Sequence, residues 1–270
     1  MKILLCTNGS PYTAQALDLG ARMARRAASA VDILVVAERG REKEARQMAE
    51  AAAADLKATG LPVALHQRTG RVAEEVVRQA QASPYDLVVI GSRGRRGVAR
   101  LLLGSVALHV TEHIPASVLV VKGRVRDLGQ FLIGSSAGPV SEHTVRFAGC
   151  LARALGASVT LLHVMSQLPL AEDALTDDLE ASAEELIQRG SQEGVHLSRM
   201  LALLAAEGVA GRAVIRHGLV RDEIIAEARE GQYDLLVTGA HVTPGLDARL
   251  VNDLSADILL AANRPVLVVH

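Results

Sequence analysis

The chain has 270 residues, enough for one or two domains, and its 49% hydrophobic and 22% charged residues can fill a core, which excludes a disordered chain. A formal net charge of -1 argues against a general polyanion binder, and 3 Tyr plus 2 Phe are too few for a base-stacking platform, so no nucleic acid partner is expected. No apolar run approaches the ~18 residues of a membrane helix, and the start MKILLCTNGSP is too short in apolar residues for a signal peptide of roughly 7–15; the expectation is a cytoplasmic protein with no membrane partner.

In chain order, Lys2–Cys6 reads as a short apolar strand and Thr7-Asn8-Gly9-Ser10-Pro11 as its turn. Thr13 is placed to cap a helix reaching about Ala28, in which Ala14, Leu17, Ala21, Ala24 and Ala28 share one face. Val31–Val36 is a strand, apolar except for Asp32, and Arg41–Ala58 is helical by propensity until Gly60 stops it. Val63–Gln67 is a third strand. Gly70 ends its loop, and Val72–Ala82 is a helix with Val72, Val76 and Val77 inward. Leu87–Ile90 and Val118–Val121 complete the half. Strands this continuously apolar need cover on both faces, so the βαβαβαβαβ order predicts a parallel sheet between helices. Cys6 and Cys150 lie in apolar stretches and read as small core residues, with no disulfide framework.

The chain then repeats itself. Cys6–Pro11 aligns with Gly134–Pro139 at an offset of 128 (134 − 6), and Val31–Val36 with Val159–Val164 at the same offset. Gly70-Arg71-Val72 aligns with Gly218-Leu219-Val220 at 148 (218 − 70), as do Tyr85-Asp86-Leu87 with Tyr233-Asp234-Leu235 and Val118–Val121 with Val266–Val269. The step of 148 − 128 = 20 residues is an insertion between the second and third strands of the second half, within Gln167–Glu207. Two copies of one α/β unit, residues 1–123 and 130–270, therefore fill the chain.

The stretch that carries chemistry is Tyr85–Lys122. After its first strand the chain breaks at Gly91, passes Gly94 and Gly97 among Arg93, Arg95, Arg96 and Arg100, and opens a helical pattern at Gly104-Ser105. Strand, glycine loop and helix start together form phosphate-binding geometry. Glycine lets backbone approach a phosphate, a helix N-terminus offers unpaired N–H groups, Ser105 adds a hydroxyl, and arginine supplies forked donors. The bland alternative is a turn that needs glycine beside a solvated basic loop. In an open α/β sheet, ligands sit beyond the carboxyl ends of the strands where the strand order reverses, here between the first and fourth strands, which brings Thr7-Asn8 and Gly91 together.

The spacing Gly91-x2-Gly94-x9-Gly104-Ser105 resembles the ATP-binding signature of the universal stress protein family. With the repeat, nearly the whole chain resembles a tandem member. The resemblance implies two Rossmann-like, HUP-type α/β units, each a five-stranded parallel sheet in the order 3-2-1-4-5 with helices on both faces. It also implies pairing through the last strands, which the matching Val118–Val121 and Val266–Val269 could make within one chain about a pseudo-twofold axis; a homodimer stays open. By the same resemblance, ATP, alone or with Mg2+, runs its ribose and phosphates along Gly91, Arg93 and Gly94. Gly104, Ser105 and Val106 hold the phosphates, Val36 lies near the adenine, and Thr7 and Asn8 border the site. Family members that bind ATP usually carry Asp where this chain has Asn8. An amide still donates and accepts hydrogen bonds but has no charge, and Asn8 reads equally as a turn residue.

The second half breaks the motif. Gly239 persists, while Val242, Asn252 and Asp253 stand where the first half has Gly94, Gly104 and Ser105, and Pro244 lacks an N–H. A branched side chain and a carboxylate at the helix start oppose phosphate, so this half reads as a structural partner. His109-Val110-Thr111-Glu112-His113 matches a zinc-protease pattern but lacks an assignable third ligand and cleft; no metal site is expected, and His163 reads as a core or edge histidine. No catalytic constellation is found, and no lysine in the loop reaches a terminal phosphate. The expected function is an ATP-binding module in stress response or signalling, whose nucleotide occupancy alters binding of an unidentified protein partner. Its rival is a nucleotide-free interaction scaffold with the insertion as partner surface, and a slow ATPase comes third.

Overall fold

A computed structural model describes residues 1–37, 40–92, 105–123, 125, 128–136, 139–165, 181–240 and 253–270. The first half alternates strand and helix: β1 (Lys2–Thr7), α1 (Pro11–Arg26), β2 (Ala30–Val36), α2 (Glu42–Ala58), β3 (Val63–Arg68), α3 (Val72–Ala82), β4 (Leu87–Gly91), α4 (Ser105–His113) and β5 (Ser117–Val121). The second half begins with β6 (Gln130–Ser135), α5 (Pro139–Leu155), β7 (Ser158–Met165), α6 (Ala183–Arg189) and α7 (Gln192–Ala206). It ends with β8 (Gly211–His217), α8 (Val220–Glu230), β9 (Leu235–Gly239), α9 (Asp253–Ala261) and β10 (Val266–Val269). Strand order in both halves is 3-2-1-4-5, as β3-β2-β1-β4-β5 and β8-β7-β6-β9-β10.

The chain forms two compact units, and they do not coincide with the two sequence halves. One comprises Met1–Arg126 and Ala240–His270, the other Asp127–Gly239. Within the first, β10 runs antiparallel to β5, with Val118 opposite Val268, Leu119 opposite Leu267 and Val120 opposite Val266. These residues are buried, so the apolar edge that either VLVV strand would expose is covered by the other, as the repeat predicts. Lys122, just beyond β5, donates to the carbonyls of Leu259 and Ala262 (2.9 Å for the latter) at the C-terminal end of α9, where a cation meets the negative end of the helix.

Parallel ladders join β1 to β2 and β4, β2 to β3, and β4 to β5. In the second unit they join β6 to β7 and β9, and β7 to β8. Ile3, Leu4 and Leu5 of β1 and Phe131, Leu132 and Ile133 of β6 are fully buried, as a strand covered on both faces requires. The shared Tyr-Asp pair before β4 and β9 has a purpose in each copy. Asp86 accepts the backbone N–H of Lys2 at 2.7 Å, and Asp234 accepts those of Gly129 and Gln130 at 2.9 and 3.0 Å, so each carboxylate ties down the start of the unit's first strand.

Two local readings are corrected. α1 is capped by Ser10 rather than Thr13: the Ser10 side chain accepts from the Thr13 N–H, and Pro11, whose missing N–H costs nothing in a first turn, opens the helix. Cys6 is buried, but Cys150 is exposed, because α5 buries Val145, Ala148, Leu151 and Ala152 and turns position 150 away. The insertion falls inside Gln167–Glu207, and α7 is not part of it. α7 falls on α2 at the offset of 148, so the added residues lie between β7 and α7 and include α6. Ser182 and Glu185 close a capping box around the start of α6, and Gly190 (φ 67°) ends it.

Candidate nucleotide site

The ladder between β1 and β4 runs from Ile3–Leu87 to Leu5–Val89, and both strands continue two residues further, to Thr7 and Gly91. The strand order reverses here, so β1 and β4 part at their carboxyl ends into the crevice where α/β sheets hold ligands. Thr7 and Val36 close their strands beside it, and Gly91 closes β4. Ser105 is the first residue of α4 and is exposed, followed by half-buried Val106. Arg93, Gly94 and Gly104, with the remaining loop arginines, lie outside the described residues.

Asn8 is committed to its own turn. Its Oδ1 accepts the Ser10 N–H at 3.0 Å and the Thr13 hydroxyl at 3.1 Å. The Thr7 hydroxyl accepts the Gly9 N–H at 3.2 Å and lies 3.0 Å from that of Thr13 and 3.6 Å from the Met48 sulfur of α2. Gly9 adopts φ +77°, and a Cβ there would stand 2.7 Å from the Cβ of Ala45, so glycine is required both by the turn and by the close approach of α2. Thr7 is 3% exposed and Asn8 5%. The uncharged residue at this position therefore builds an Asx turn that feeds the cap of α1.

The equivalent crevice in the second unit is lined differently. The β6–β9 ladder ends at Ile133–Val237, and the strands run on to Ser135 and Gly239. Gly239 has a packing reason to persist: a Cβ there would lie 2.6 Å from the Thr144 hydroxyl and 2.8 Å from Val140 Cγ1, both on α5. Ser135 meets two histidines, His163 of β7 and His196 of α7. Burial first, then the neighbouring His163, lowers the pKa of His196 below the usual imidazole range, more than Glu142 raises it. The sequence reading missed this cluster, because Ser135 and His196 are 61 residues apart and carry no motif. Val242, Pro244 and Asn252 lie outside the described residues, and Asp253 begins α9. On α4, the rings of His109 and His113 stack at 4.0 Å and His113 Nδ1 bonds the His109 carbonyl, so one ring nitrogen is used by its own helix. Among the described residues no helix is long and apolar enough to cross a membrane.

Comparison with known proteins matches a model of the universal stress protein family to residues 1–122 and 128–270. A universal stress protein of Methanocaldococcus jannaschii is 37% identical over 87 residues, which are 32% of this chain and 47% of that protein, so the match spans about half of that relative's length. One from Mycolicibacterium smegmatis is 26% identical over 223 residues, 78% of this chain and 70% of that protein. The crystal structure of a universal stress protein from Archaeoglobus fulgidus superposes on 99% of this chain and 97% of its own, with a TM-score of 0.70 at 18% identity, a likeness of fold.

Proposed function

The chain belongs to the universal stress protein family, and from that premise we propose that its first half binds one adenine nucleotide, ATP, alone or with Mg2+, as a signalling module whose occupancy alters the binding of a protein partner. The observation that carries the proposal is the placement of the glycine motif. Gly91, its first residue, ends β4 where β1 and β4 part, and Ser105, its last, opens α4. Backbone N–H groups at the start of α4 and the Ser105 hydroxyl suit phosphate oxygens, and Arg93 suits their charge. Gly94, Gly104 and Val106 complete the phosphate side. Val36, Thr7 and Asn8 border the base side. Because Asn8 spends its carbonyl oxygen on Ser10 and Thr13, base recognition falls to backbone and to Val36, and the phosphates supply most of the affinity.

A second reading draws on the same turn. With Thr7, Asn8 and Val36 all buried, a scaffold that carries no nucleotide also fits, with the α6–α7 region as its partner surface. The nucleotide content of the purified full chain separates the two. Adenine nucleotide released on denaturation at close to one per chain, or ATP taken up to that level, supports the proposal. A chain that is empty as purified and takes up none at millimolar ATP overturns it. Release of phosphate from bound ATP would add slow hydrolysis.

A further inference from the structure

Ser135 closes β6, and each of its polar oxygens holds a histidine. Its carbonyl accepts Nδ1–H of His163 of β7 at 3.1 Å, and its hydroxyl lies 2.7 Å from Nε2 of His196 of α7. The two rings stand 5.9 Å apart between centroids. The first half has no such cluster, since its equivalent positions are Thr7, Val35 and Met48 (135 − 128, 163 − 128 and 196 − 148). There the Thr7 hydroxyl meets the Met48 sulfur, a contact with no group that titrates near neutral pH. His196 thus seats α7 on the end of β6 through a titratable ring. α6 rests directly on α7, because Gly194 of α7 leaves no room for a Cβ against the Leu186 carbonyl of α6.

We propose that this cluster is an acid-sensitive latch: protonation of His196 loosens the α6–α7 pair from the end of β6, a response that the first half, with Met48 in that place, lacks. The surroundings answer a positive charge on the ring poorly. β7 brings His163, whose charged form would repel a second cation. Arg199, one turn further along α7, is already a cation, and it holds the nearby carboxylate of Glu142 on α5 at 2.7 Å. β8 turns Arg212 and Arg216 to its other face, toward Tyr233 and Glu227, and presents His217, whose buried Nε2 has no hydrogen-bond partner among the described residues. α6 turns the apolar Ala183 and Leu186 inward. Burial and His163 hold the His196 pKa below the usual imidazole range, so the docked state favours the neutral ring. Above the free-imidazole value of about 6.5 the ring is neutral in docked and released states alike. As pH falls from there toward the lower docked value, the released state takes up the proton first, and the docked state loses stability. The latch lies within Asp127–Gly239, so it does not depend on the nucleotide reading of the first half.

Hydrogen–deuterium exchange of the full chain between about pH 7.5 and 5, corrected for the intrinsic pH dependence of exchange, tests the latch. Amides of α6 and of the first turns of α7 should lose protection several-fold as the pH falls below about 6.5, while those of α2, the first half's counterpart of α7, keep theirs. His196→Met introduces the first half's residue, and His196→Gln keeps a donor for the Ser135 hydroxyl without a titrating ring. Both should hold α6–α7 equally protected across the range. The imidazole titration of His196, followed by NMR, should move upward in His163→Val, which removes the neighbouring ring. Protection of α6–α7 that does not change with pH in the wild type, or that falls as much in His196→Gln or in folded His196→Met, would overturn the proposal. An unmoved His196 titration in His163→Val would remove His163 from the latch.

Discussion

Asp32 lies in β2 among aliphatic neighbours, and three side chains hold its carboxylate: the Tyr85 hydroxyl at 2.6 Å, Lys2 Nζ at 3.1 Å and His66 Nε2 at 3.2 Å. Gln79 of α3 donates to the same Tyr85 oxygen at 2.9 Å, and Arg68 donates to Gln79. The second half keeps the tyrosine, as Tyr233, but moves the carboxylate. Thr160 replaces Asp32, and Glu227, at the position of Gln79, accepts the Tyr233 hydroxyl at 2.5 Å and Arg216 at 2.7 Å. Arg216 stands where the first half has Arg68 (216 − 148). One buried charge per copy is kept while its location changes. Asp32→Thr should therefore cost about 1–3 kcal/mol of stability, since it leaves the Tyr85 donor and Lys2 without their acceptor. Adding Gln79→Glu should recover most of the loss by rebuilding the second half's arrangement beside Arg68. Denaturant unfolding of the two variants measures both, and a double variant no more stable than the single one would contradict the equivalence.

The same network sets a pH dependence. Burial raises the Asp32 pKa, but the Tyr85, Lys2 and His66 contacts outweigh it and hold it below the usual carboxylate range. A lowered folded pKa contributes stability at pH values above the unfolded pKa of about 3.9, and that contribution disappears as pH falls through the folded value. Burial, and then the Asp32 acceptor, push Tyr85 up to about 12, so stability should decline between about pH 10 and 12, where the unfolded tyrosine ionises and the folded one does not. Thermal melts of wild type and Tyr85→Phe across pH 8–12 should converge toward high pH; parallel curves would show that Tyr85 is not responsible.

At the scale of elements, the retained glycine of the second half reports on packing. Gly239 was legible in the sequence as the remnant of a motif, yet Thr144 and Val140 of α5 already fill the space a side chain would need. Gly239→Ala should lower stability by about 1–3 kcal/mol through overpacking between α5 and β9, with ATP binding by the first half unchanged. An unaltered melting temperature would show that the interface yields easily. The pairing of the VLVV strands followed from the family resemblance together with their matching sequences, while the alternation of strands and helices and the repeat were legible because continuous apolar runs and constant offsets can be read directly from the sequence. The Asp32–Tyr85 network and the Ser135–His163–His196 cluster were not, because each joins residues tens of positions apart whose meeting depends on strand order and on where the 20 extra residues fall. Asn8 was legible as a departure from the family pattern, but its use in a turn emerged only from its hydrogen bonds.

At the scale of the whole molecule, duplication with divergence gives one chain two unlike crevices. The first half keeps a glycine motif beginning at Gly91 and ending at Ser105, and the second replaces it with Val242, Asn252 and Asp253. The central claim is one ATP per chain, held by the first half, and isothermal titration of the full chain with ATP tests it most directly. Wild type should give a stoichiometry of one. Gly104→Asn with Ser105→Asp, which transfers the second half's residues, should weaken binding at least about tenfold, since each lost charge-assisted bond costs roughly 1.5–3 kcal/mol. Two equivalent sites per chain, or ATP bound as tightly by the double variant as by the wild type, would contradict it.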